Sequence, residues 1–181
     1  MSASTPISIV DYDEEWPLRY ENLAAKLRAV LGNIVLRIEH VGSTAVRGLA
    51  AKPVVDLDVV VNSPNDVETA ILKLAQFGYV HEGDLGVQGR EAFRAPTGEI
   101  PHHLYVLVEG SAELERHLTF RDALRADPVL RDQYSSLKRS LAAEHAEDRA
   151  AYTDAKTAFV RAVLKRGLAV CLDRNENFDT I

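Results

Sequence analysis

Pro53-Val-Val-Asp-Leu-Asp-Val-Val-Val61 is the stretch that most constrains how this chain folds, because it is a β-branched apolar run interrupted by two acids. A run of this kind is typical of a strand that is buried on both faces. Side chains alternate along a strand, so Asp56 and Asp58 are predicted to point to the same side of the sheet. Two carboxylates held together on a buried strand repel each other and are costly to desolvate. The pattern therefore predicts a compensating cation or a cluster of hydrogen-bond donors.

The loop before this strand, His40-Val-Gly-Ser-Thr44, has the composition of a phosphate-binding turn. Gly42 lets a ligand approach the backbone closely. The hydroxyls of Ser43 and Thr44, with the amides of a helix beginning there, can bind phosphate with help from the helix dipole. At this spacing, the turn and the acidic pair together predict a site for a nucleotide or another phosphorylated small molecule.

Magnesium is the natural compensation for the acidic pair, because Mg²⁺ prefers oxygen ligands and binds through a few carboxylates plus substrate phosphates. A pair of such ions can activate an attacking oxygen and stabilise a leaving one. A structural role is the alternative, in which Asp56 and Asp58 cap a strand end or pair with Lys52 and Arg47.

Basic residues near these motifs are candidates to offset phosphate charge. Arg90 and Arg94 are separated by an even number of positions and would share one face of a strand, and Lys52 precedes the two acids. Arginine binds planar oxyanions with two parallel hydrogen bonds, although each of these residues is also explained as a surface charge. We assign Lys138 and Lys156 to solvated helix faces.

The remaining pattern predicts a sheet-rich first part followed by helices, which is an α+β fold. We predict one domain over residues 1–167, with a sheet-rich core over 1–108, a packed helical extension over 109–167 and a tail over 168–181. A mobile loop is expected over 83–89. A short strand or an arm is predicted over 7–10, and strands are predicted over 34–39, 53–61, 91–95 and 102–108. Helices are predicted from Pro17 to Gly32, from Pro64 to Gly78, from Ser111, from Asp127, and from Asp148 to Gly167.

Composition narrows the class of protein. The net charge of −6 argues against general nucleic-acid binding, because neutralising phosphates requires a basic face. No apolar run approaches the roughly 20 residues that a membrane span needs, and residues 1–10 lack the pattern of a secretory signal. We therefore expect a cytoplasmic protein without membrane contact, whose oligomeric state the pattern does not specify. The single Cys171 excludes an internal disulfide framework.

Several segments together resemble the GrpB-like family, whose members look like nucleotidyltransferases. Residues 134–138 and 152–159 match the helical part of that family, so the resemblance covers nearly the whole chain. The segments that carry it are Glu39-His-Val-Gly-Ser-Thr-Ala-Val46, Gly48-Leu-Ala-Ala-Lys-Pro-Val-Val-Asp-Leu-Asp58, Gly89-Arg-Glu-Ala-Phe-Arg94, His102-His-Leu-Tyr-Val106 and Arg116-His-Leu-Thr-Phe-Arg-Asp-Ala-Leu-Arg125.

The resemblance implies a nucleotidyltransferase-like mixed β-sheet with flanking helices and a C-terminal helical extension. It also implies that Gly42 and Ser43 form the phosphate turn and that Asp56 and Asp58 are metal ligands. A similar module is fused to dephospho-coenzyme A kinase in some bacteria, which makes a coenzyme A-related ligand conceivable.

The chain departs from the family pattern near this site. Arg47 stands where the family usually has proline, and Tyr105 stands where histidine is common. A working nucleotidyltransferase usually adds a third carboxylate from a neighbouring strand, and residues 102–108 contain none. His103 is a candidate to take its place, although histidine suits zinc or manganese better than magnesium. Alternatively, one of His102 and His103 faces solvent while the other is a hydrogen-bonded wall residue.

These observations lead to two functional hypotheses. The first is a metal-dependent nucleotidyl or phosphoryl transferase that uses Mg²⁺ or Mn²⁺, with an unknown acceptor. The second is a non-catalytic module with a degenerate active site that binds a nucleotide or a coenzyme A-related ligand. In both, we expect His40 to orient the loop, and Arg121 either to contact phosphate or to form an ion pair with a helix carboxylate.

Overall fold

The computed structural model of this chain describes residues 6–176, with side chains for residues 6–166. It confirms the α+β fold, because a five-stranded mixed sheet is flanked by helices. The strands are β1 (Val35–Val41), β2 (Val55–Val61), β3 (Val80–Gly83), β4 (Arg90–Arg94) and β5 (His102–Val108). The helices are α1 (Trp16–Leu31), α2 (Pro64–Gln76), α3 (Ala112–Ala126), α4 (Pro128–Glu144), α5 (Arg149–Ala155) and α6 (Thr157–Glu176).

The strand order β1-β2-β5-β4-β3 places the acidic strand β2 at an inner position of the sheet. β2 runs parallel to β5 and antiparallel to β1. In this register, Asp56 is paired with His103, and Asp58 lies between Tyr105 of β5 and Glu39 of β1. Side chains of directly paired residues share a face, so the register gathers polar groups from three strands on one side of the sheet.

The two faces of the sheet bury different layers. One face packs Leu57 and Val59 against α1 and α2, in a core cluster that includes Leu23 and Leu74. The opposite face packs Val60 and Leu107 of the sheet against Leu114 of α3. Asp56 and Asp58 lie on this second face, on the stretch of β2 that precedes Val60.

The helices of the second part pack onto the loop between β1 and β2. Val46 and Leu49 of this loop share a buried cluster with Leu124 of α3, Tyr134 of α4 and Val163 of α6. Burying a side chain of this size stabilises the fold by about 1.5–3 kcal/mol. The packing therefore holds the loop that contains Gly42 and Ser43 against the helical part.

The structure corrects several predicted element bounds. The third C-terminal helix is interrupted at Lys156, whose backbone N–H bonds the carbonyl of Thr153, so α5 and α6 are separate helices. The predicted end at Gly167 is wrong, because α6 continues to Glu176. Glycine inside a helix costs only about 1 kcal/mol relative to alanine, which a longer helix tolerates. The last part of the predicted tail, residues 177–181, lies outside the described residues.

The sheet also differs from its prediction at one edge. β3 was not predicted, because Val80, His81 and Glu82 are all exposed and show no apolar alternation. Residues 7–10, predicted as a short strand or an arm, make a single bridge, from Val10 to Ala51, and so form an arm. Among the described residues, no helix combines the length and the apolar character needed to cross a membrane.

Candidate functional site

The acidic pair lies on one face of β2, as the alternation of side chains predicts, and each carboxylate has a histidine partner. Asp58 is 0% exposed, and its Oδ2 lies 2.7 Å from Nδ1 of His117. Asp56 is partly exposed, and its Oδ1 lies 2.7 Å from Nδ1 of His103. The remaining oxygen of Asp58, Oδ1, is buried and has no hydrogen-bond partner among the residues that the structure describes. A buried carboxylate oxygen of this kind is an available acceptor inside the protein.

His117 supplies the cation that compensates the buried acid. Its second nitrogen, Nε2, lies 3.0 Å from Oε1 of Glu113, so the imidazole joins two carboxylates. Burial opposes protonation of His117, but the bonds with Asp58 and Glu113 outweigh it and raise the pKa of His117 to about 9. Burial also opposes ionisation of Glu113, yet the bonds from Arg116 and His117 lower its pKa to about 2. Burial raises the pKa of the Asp58 carboxyl, and the bond with His117 opposes this effect. At neutral pH the site therefore contains an imidazolium that bonds Glu113 and the carboxyl group of Asp58.

The pKa of the second histidine moves in the same direction. The hydrogen bond to Asp56 raises the pKa of His103, and burial opposes this effect. The structure places the two neighbouring histidines, His102 and His103, on opposite faces of the sheet. His103 is the exposed one, and it bonds Asp56 of the acidic pair. His102 is buried on the opposite face, where its ring nitrogens contact the carbonyl of Ile100 at 2.6 Å and the hydroxyl of Tyr79 at 3.0 Å.

Gly42 fits closely against the acidic pair. Its φ of +68° lies in the left-handed region, and a Cβ at this position would come within 2.2 Å of Oδ2 of Asp56. The group that lies closest to this glycine is therefore the Asp56 carboxylate, and the approach of a ligand phosphate to Gly42 stays a prediction. The helix that begins at Ser43 is a three-residue 3-10 turn, so it has a smaller dipole than we expected.

Lys138 brings an amino group to the turn at Ser43, where the helix dipole is small. Its Nζ donates to Oγ of Ser43 at 2.9 Å and also to the carbonyl of Ala50. Lys138 is 3% exposed, so the prediction of a solvated helix face is wrong for this residue. Burial lowers the pKa of Lys138 to about 7. The Nζ also lies 4.6 Å from the centre of the Tyr134 ring.

Two further lysines, Lys52 and Lys156, lie within range of the negative charge of Asp56. Lys52 and Lys156 both contact the ring of Tyr152, at 4.5 Å and 4.3 Å from its centre. Burial lowers the pKa of both, while the negative charge of Asp56 acts in the opposite direction on each. Lys156 is half-buried, so the solvated assignment is wrong for it as well.

The two arginines of β4 have different surroundings. Arg90 is largely buried, with its guanidinium 4.6 Å from the centre of the Tyr105 ring and Nη1 3.7 Å from Oε1 of Glu113. Arg94 is 66% exposed and forms an ion pair with Glu82 at 3.4 Å. The structure therefore brings Arg90, and not Arg94, to the acidic pair.

His40 and Thr44 hold the start of the loop between β1 and β2 through contacts with each other and with Tyr20. Thr44 is 1% exposed, and its Oγ1 lies 3.0 Å from Nε2 of His40, so its hydroxyl is already engaged. The ring of His40 stacks on Tyr20 with 4.6 Å between centres, and burial lowers the pKa of His40 to about 4. A neutral, packed imidazole with these contacts suits the predicted orienting role.

Arg121 ties α3 to the end of β1. It donates to Oδ1 of Asp122 on its own helix, as predicted for an ion pair, and to Oε2 of Glu39 at 2.8 Å. A third bond reaches the carbonyl of His40 at 3.1 Å. These bonds use much of the guanidinium, so Arg121 positions the loop and the strand relative to α3.

A cavity of about 200 Å³ opens between the turn and α3. Small-molecule sites usually have volumes of about 300–1,000 Å³, so this space suits phosphate groups better than a whole nucleotide. Its walls are Gly42, Ser43 and Asp56 on one side, and Arg90, Tyr105, His117 and Tyr134 on the others.

Sequence reasoning missed three residues of the site, namely Glu113, His117 and Lys138. Glu113 and His117 are four positions apart on α3, a spacing that places them on one face of a helix. Lys138 lies four positions after Tyr134 and three before Leu141, so it falls within an apolar stripe. A lysine in such a stripe is a recognisable signal, because an unpaired buried ammonium is costly.

The donor set can be tested against the predicted metal. Among the described residues, no group of three or more His, Cys, Asp or Glu side chains is arranged to hold a metal ion. Asp56 and the unpaired Oδ1 of Asp58 do fit magnesium bound in its other common manner, through two carboxylates completed by phosphate oxygens of the ligand. His103 bonds Asp56 instead of pointing to a separate ligand position, and its role as a metal ligand stays a prediction.

Comparison with solved structures assigns the fold. The chain resembles the crystal structure of conserved protein GrpB from Enterococcus faecalis, with a TM-score of 0.82 and 31% identity over 91% of this chain and 99% of that one. It also resembles the Cid1 poly(U) polymerase bound to MgGTP, with a TM-score of 0.54 and 15% identity over 74% of this chain and 44% of that one. The second likeness shows the nucleotidyltransferase fold alone.

Relatives in sequence point to the same family. A UPF0157 protein of Halalkalibacterium halodurans is 39% identical over 166 residues, which are 90% of this chain and 83% of that protein. Dephospho-CoA kinase of Mycolicibacterium paratuberculosis is 28% identical over 189 residues, and the chain spans only 46% of its length. The chain likewise spans 45% of the UPF0157 protein YqkA of Bacillus subtilis. The family model described as GrpB protein matches residues 6–166, and the chain therefore belongs to the GrpB family.

Proposed function

We propose that this chain is a metal-dependent nucleotidyl or phosphoryl transferase whose cavity binds the phosphates of a nucleoside triphosphate. The observation that carries the proposal is that Asp56, which shares one face of β2 with Asp58, packs against the turn at Gly42 and Ser43. The buried Lys138 bonds the serine of this turn. Acids alone repel phosphate and a basic pocket alone does not activate it, whereas transfer requires both kinds of group side by side. The nucleotidyltransferase fold supports this reading.

Each group has a distinct task in this proposal. Ser43 and Lys138 bind the terminal phosphates, and Lys52 adds positive charge from the loop before β2. Arg90 faces the cavity from the other side and neutralises charge on the oxygens of the transferred phosphoryl group. Guanidinium groups suit this task because they bind oxyanions in a planar, bidentate manner.

Asp56 and Asp58 would hold the Mg²⁺ or Mn²⁺ ion. The ion supplies neutralisation of phosphate charge and activation of the attacking oxygen when it is bound. His117 holds the Asp58 carboxylate in a single orientation through its bond to Oδ2. The other oxygen, Oδ1, stays available as a ligand of the ion. Glu113 and Arg116 fix His117 in turn, so the acidic pair is oriented before a ligand arrives.

The test measures ATP binding by titration calorimetry in the presence of magnesium or manganese. Asp56→Asn and Asp58→Asn should each weaken metal-dependent binding by at least about tenfold, because each removes one charged ligand of the ion. Glu115→Gln is a matched control, since it removes a carboxylate from an exposed position of α3. Binding that is unchanged in the Asp56→Asn/Asp58→Asn double variant would reject the assigned site.

A second candidate function is favoured by the histidine partners of both acids. Because His103 and His117 already compensate these charges, the pocket is stable as a binding site without a metal. In that case the protein is a sensor of a nucleotide or of a coenzyme A-related ligand, the latter suggested by the likeness to dephospho-CoA kinases. The two functions differ in turnover. Metal-dependent release of pyrophosphate or phosphate from ATP by the wild-type chain, absent from Asp56→Asn, excludes the sensor.

A further inference from the structure

A second groove adjoins the acid and lysine site on its helical side. It has a volume of about 360 Å³ and is lined by residues of α3, α4, α5 and α6. Tyr134 lines both this groove and the cavity beside the acids. The tyrosine is 5% exposed, and its ring stacks on Phe159 with 4.9 Å between centres. Tyr134 is therefore held in place between the groove and the cavity, and its side chain borders both.

The walls of this groove are cationic. Arg116, Lys156 and Arg161 line it together with Thr157, Val160 and Leu164, and its described lining contains no carboxylate. Thr153 also lines it, but its hydroxyl donates to the carbonyl of Arg149 at 2.8 Å. The chain as a whole has 27 acidic and 21 basic residues, so such a local excess of cations opposes the overall charge. Cations with hydroxyl donors bind a phosphate group, whereas a neutral nucleobase gains little from three positive charges.

The cations of the groove differ in how firmly they are held. Arg116 donates Nε and Nη2 to Glu113 at 2.6 Å each, so its position is set by the acid that also orients His117. The ammonium of Lys156 packs on the Tyr152 ring, and Asp56 lies close enough to act on its charge. Arg161 is exposed on α6 and can move to meet a ligand.

Building on the transferase function proposed above, we infer that this groove binds the phosphate group of the acceptor, which is therefore a phosphorylated small molecule. The phosphate binds to Lys156, Arg161 and the hydroxyl of Thr157. The acceptor then extends past Tyr134, so that its own hydroxyl reaches the α-phosphate of the nucleotide beside Asp56.

The chemistry of this transfer balances with the two substrates alone. The acceptor oxygen forms a bond to the α-phosphorus, while the bond from that phosphorus to the oxygen bridging the β-phosphate breaks. Pyrophosphate leaves on the side of Lys138. The hydroxyl proton of the acceptor passes to solvent water, and the acceptor becomes joined to the nucleotide through a phosphodiester.

The experiment measures binding of ribose 5-phosphate and of ATP to the full chain by titration calorimetry. Lys156→Gln and Arg161→Gln should each weaken binding of ribose 5-phosphate about tenfold, because each removes one charge-assisted contact, and should change ATP affinity less than about twofold. Lys165→Gln is the matched control, since it removes the same charge from an exposed position on α6. Ribose, which has no phosphate, should not bind at about 10 mM.

Three outcomes would overturn the inference. The first is no detectable binding of ribose 5-phosphate to the wild-type chain at about 10 mM, and the second is equal binding of ribose. The third is a parallel loss of ATP affinity in the groove variants, with ATP displacing ribose 5-phosphate, which would make the groove part of the nucleotide site. A different result would separate the two proposals, namely that Asp56→Asn leaves ATP affinity unchanged while Lys156→Gln still weakens binding of ribose 5-phosphate. That result would reject both the transferase function and the acceptor role, and would leave only a groove that binds phosphate.

Discussion

Gly42 is subject to two separate constraints at a single position. Its backbone is left-handed, and the space where a side chain would begin is filled by the Asp56 carboxylate. The first constraint concerns the stability of the loop, and the second concerns the geometry of the site. The two can be separated because Gly110 has a similar φ of +73°, while no described atom lies within 4 Å of the point where its Cβ would stand.

The substitution Gly42→Ala should therefore be more damaging than Gly110→Ala. We expect Gly110→Ala to lower the free energy of unfolding by about 1 kcal/mol through backbone strain and to leave ATP binding unchanged. Gly42→Ala should lower it by more and should also weaken ATP binding by about tenfold or more, because Asp56 must move. Urea unfolding and calorimetry measure the two effects. Equal losses in both variants would show that the contact with Asp56 has no functional consequence.

At this scale, the sequence predicted the residues whose position follows from the local backbone. The shared face of Asp56 and Asp58 follows from alternation along a strand, and Gly42 follows from the composition of its turn. The positions of His117 and Lys138 depend on how α3 and α4 dock on the sheet, which no local pattern specifies. His117 and Lys138 were therefore missed or misjudged, whereas Asp56 and Asp58 were placed correctly on one face of the sheet.

Among the elements, α4 has the most direct effect on the site, because it carries both Tyr134 and Lys138. The helix begins with Pro128, and the side chain of Asp127 accepts hydrogen bonds from the backbone N–H groups of Val129 and Leu130. These bonds satisfy donors that the first turn of a helix leaves free. The start of α4 is thus fixed by a strong local signal that the sequence predicted.

Removing this cap should loosen the helix that carries the buried lysine. Asp127→Ala should lower the free energy of unfolding by about 1 kcal/mol, whereas Asp127→Asn, which keeps a capping oxygen, should cost only a few tenths. Denaturant unfolding of the two variants tests this difference. Similar losses in both would mean that the charge of Asp127, and not its cap bonds, stabilises α4.

The elements that were misjudged share a physical reason. β3 is an exposed edge strand, and its pairing with β4 depends on backbone hydrogen bonds that leave no apolar alternation in the sequence. The break between α5 and α6 occurs inside a continuous helical pattern, where the backbone N–H of Lys156 bonds the carbonyl of Thr153. The apolar periodicity of a segment reveals neither a strand that pairs through its backbone alone nor a break of one residue.

For the whole molecule, the buried ion pairs make stability depend on pH. The pKa of His117 is about 9 in the folded chain and has a reference value of 6.5, so the folded state binds this proton more tightly. The resulting stabilisation is complete below about pH 6.5 and is lost as the pH rises through about 9. Its size is on the order of 3 kcal/mol.

The double variant Asp58→Asn/His117→Gln should remove this dependence, because neutral amides replace the charged pair. The difference in free energy of unfolding between wild type and variant should fall as the pH rises from about 6.5 to 9. Lys138, whose pKa of about 7 lies below its reference value of 10.5, acts in the opposite direction but is common to both proteins. His81→Gln, which changes a partly exposed histidine, is the control. A constant difference across this range would show that His117 is not the protonated partner.

The alternation of β2 has a consequence for folding fidelity. If β2 slipped by one residue against its neighbours, Asp56 and Asp58 would enter the aliphatic layer under α1, and Leu57 and Val59 would face the cavity. Burying two unpaired charges costs several kcal/mol, so the same acids that build the pocket penalise the wrong pairing. The chain thereby excludes a misaligned product that would otherwise differ little in backbone hydrogen bonding. Copies that reach the native alignment are the ones that have an assembled site.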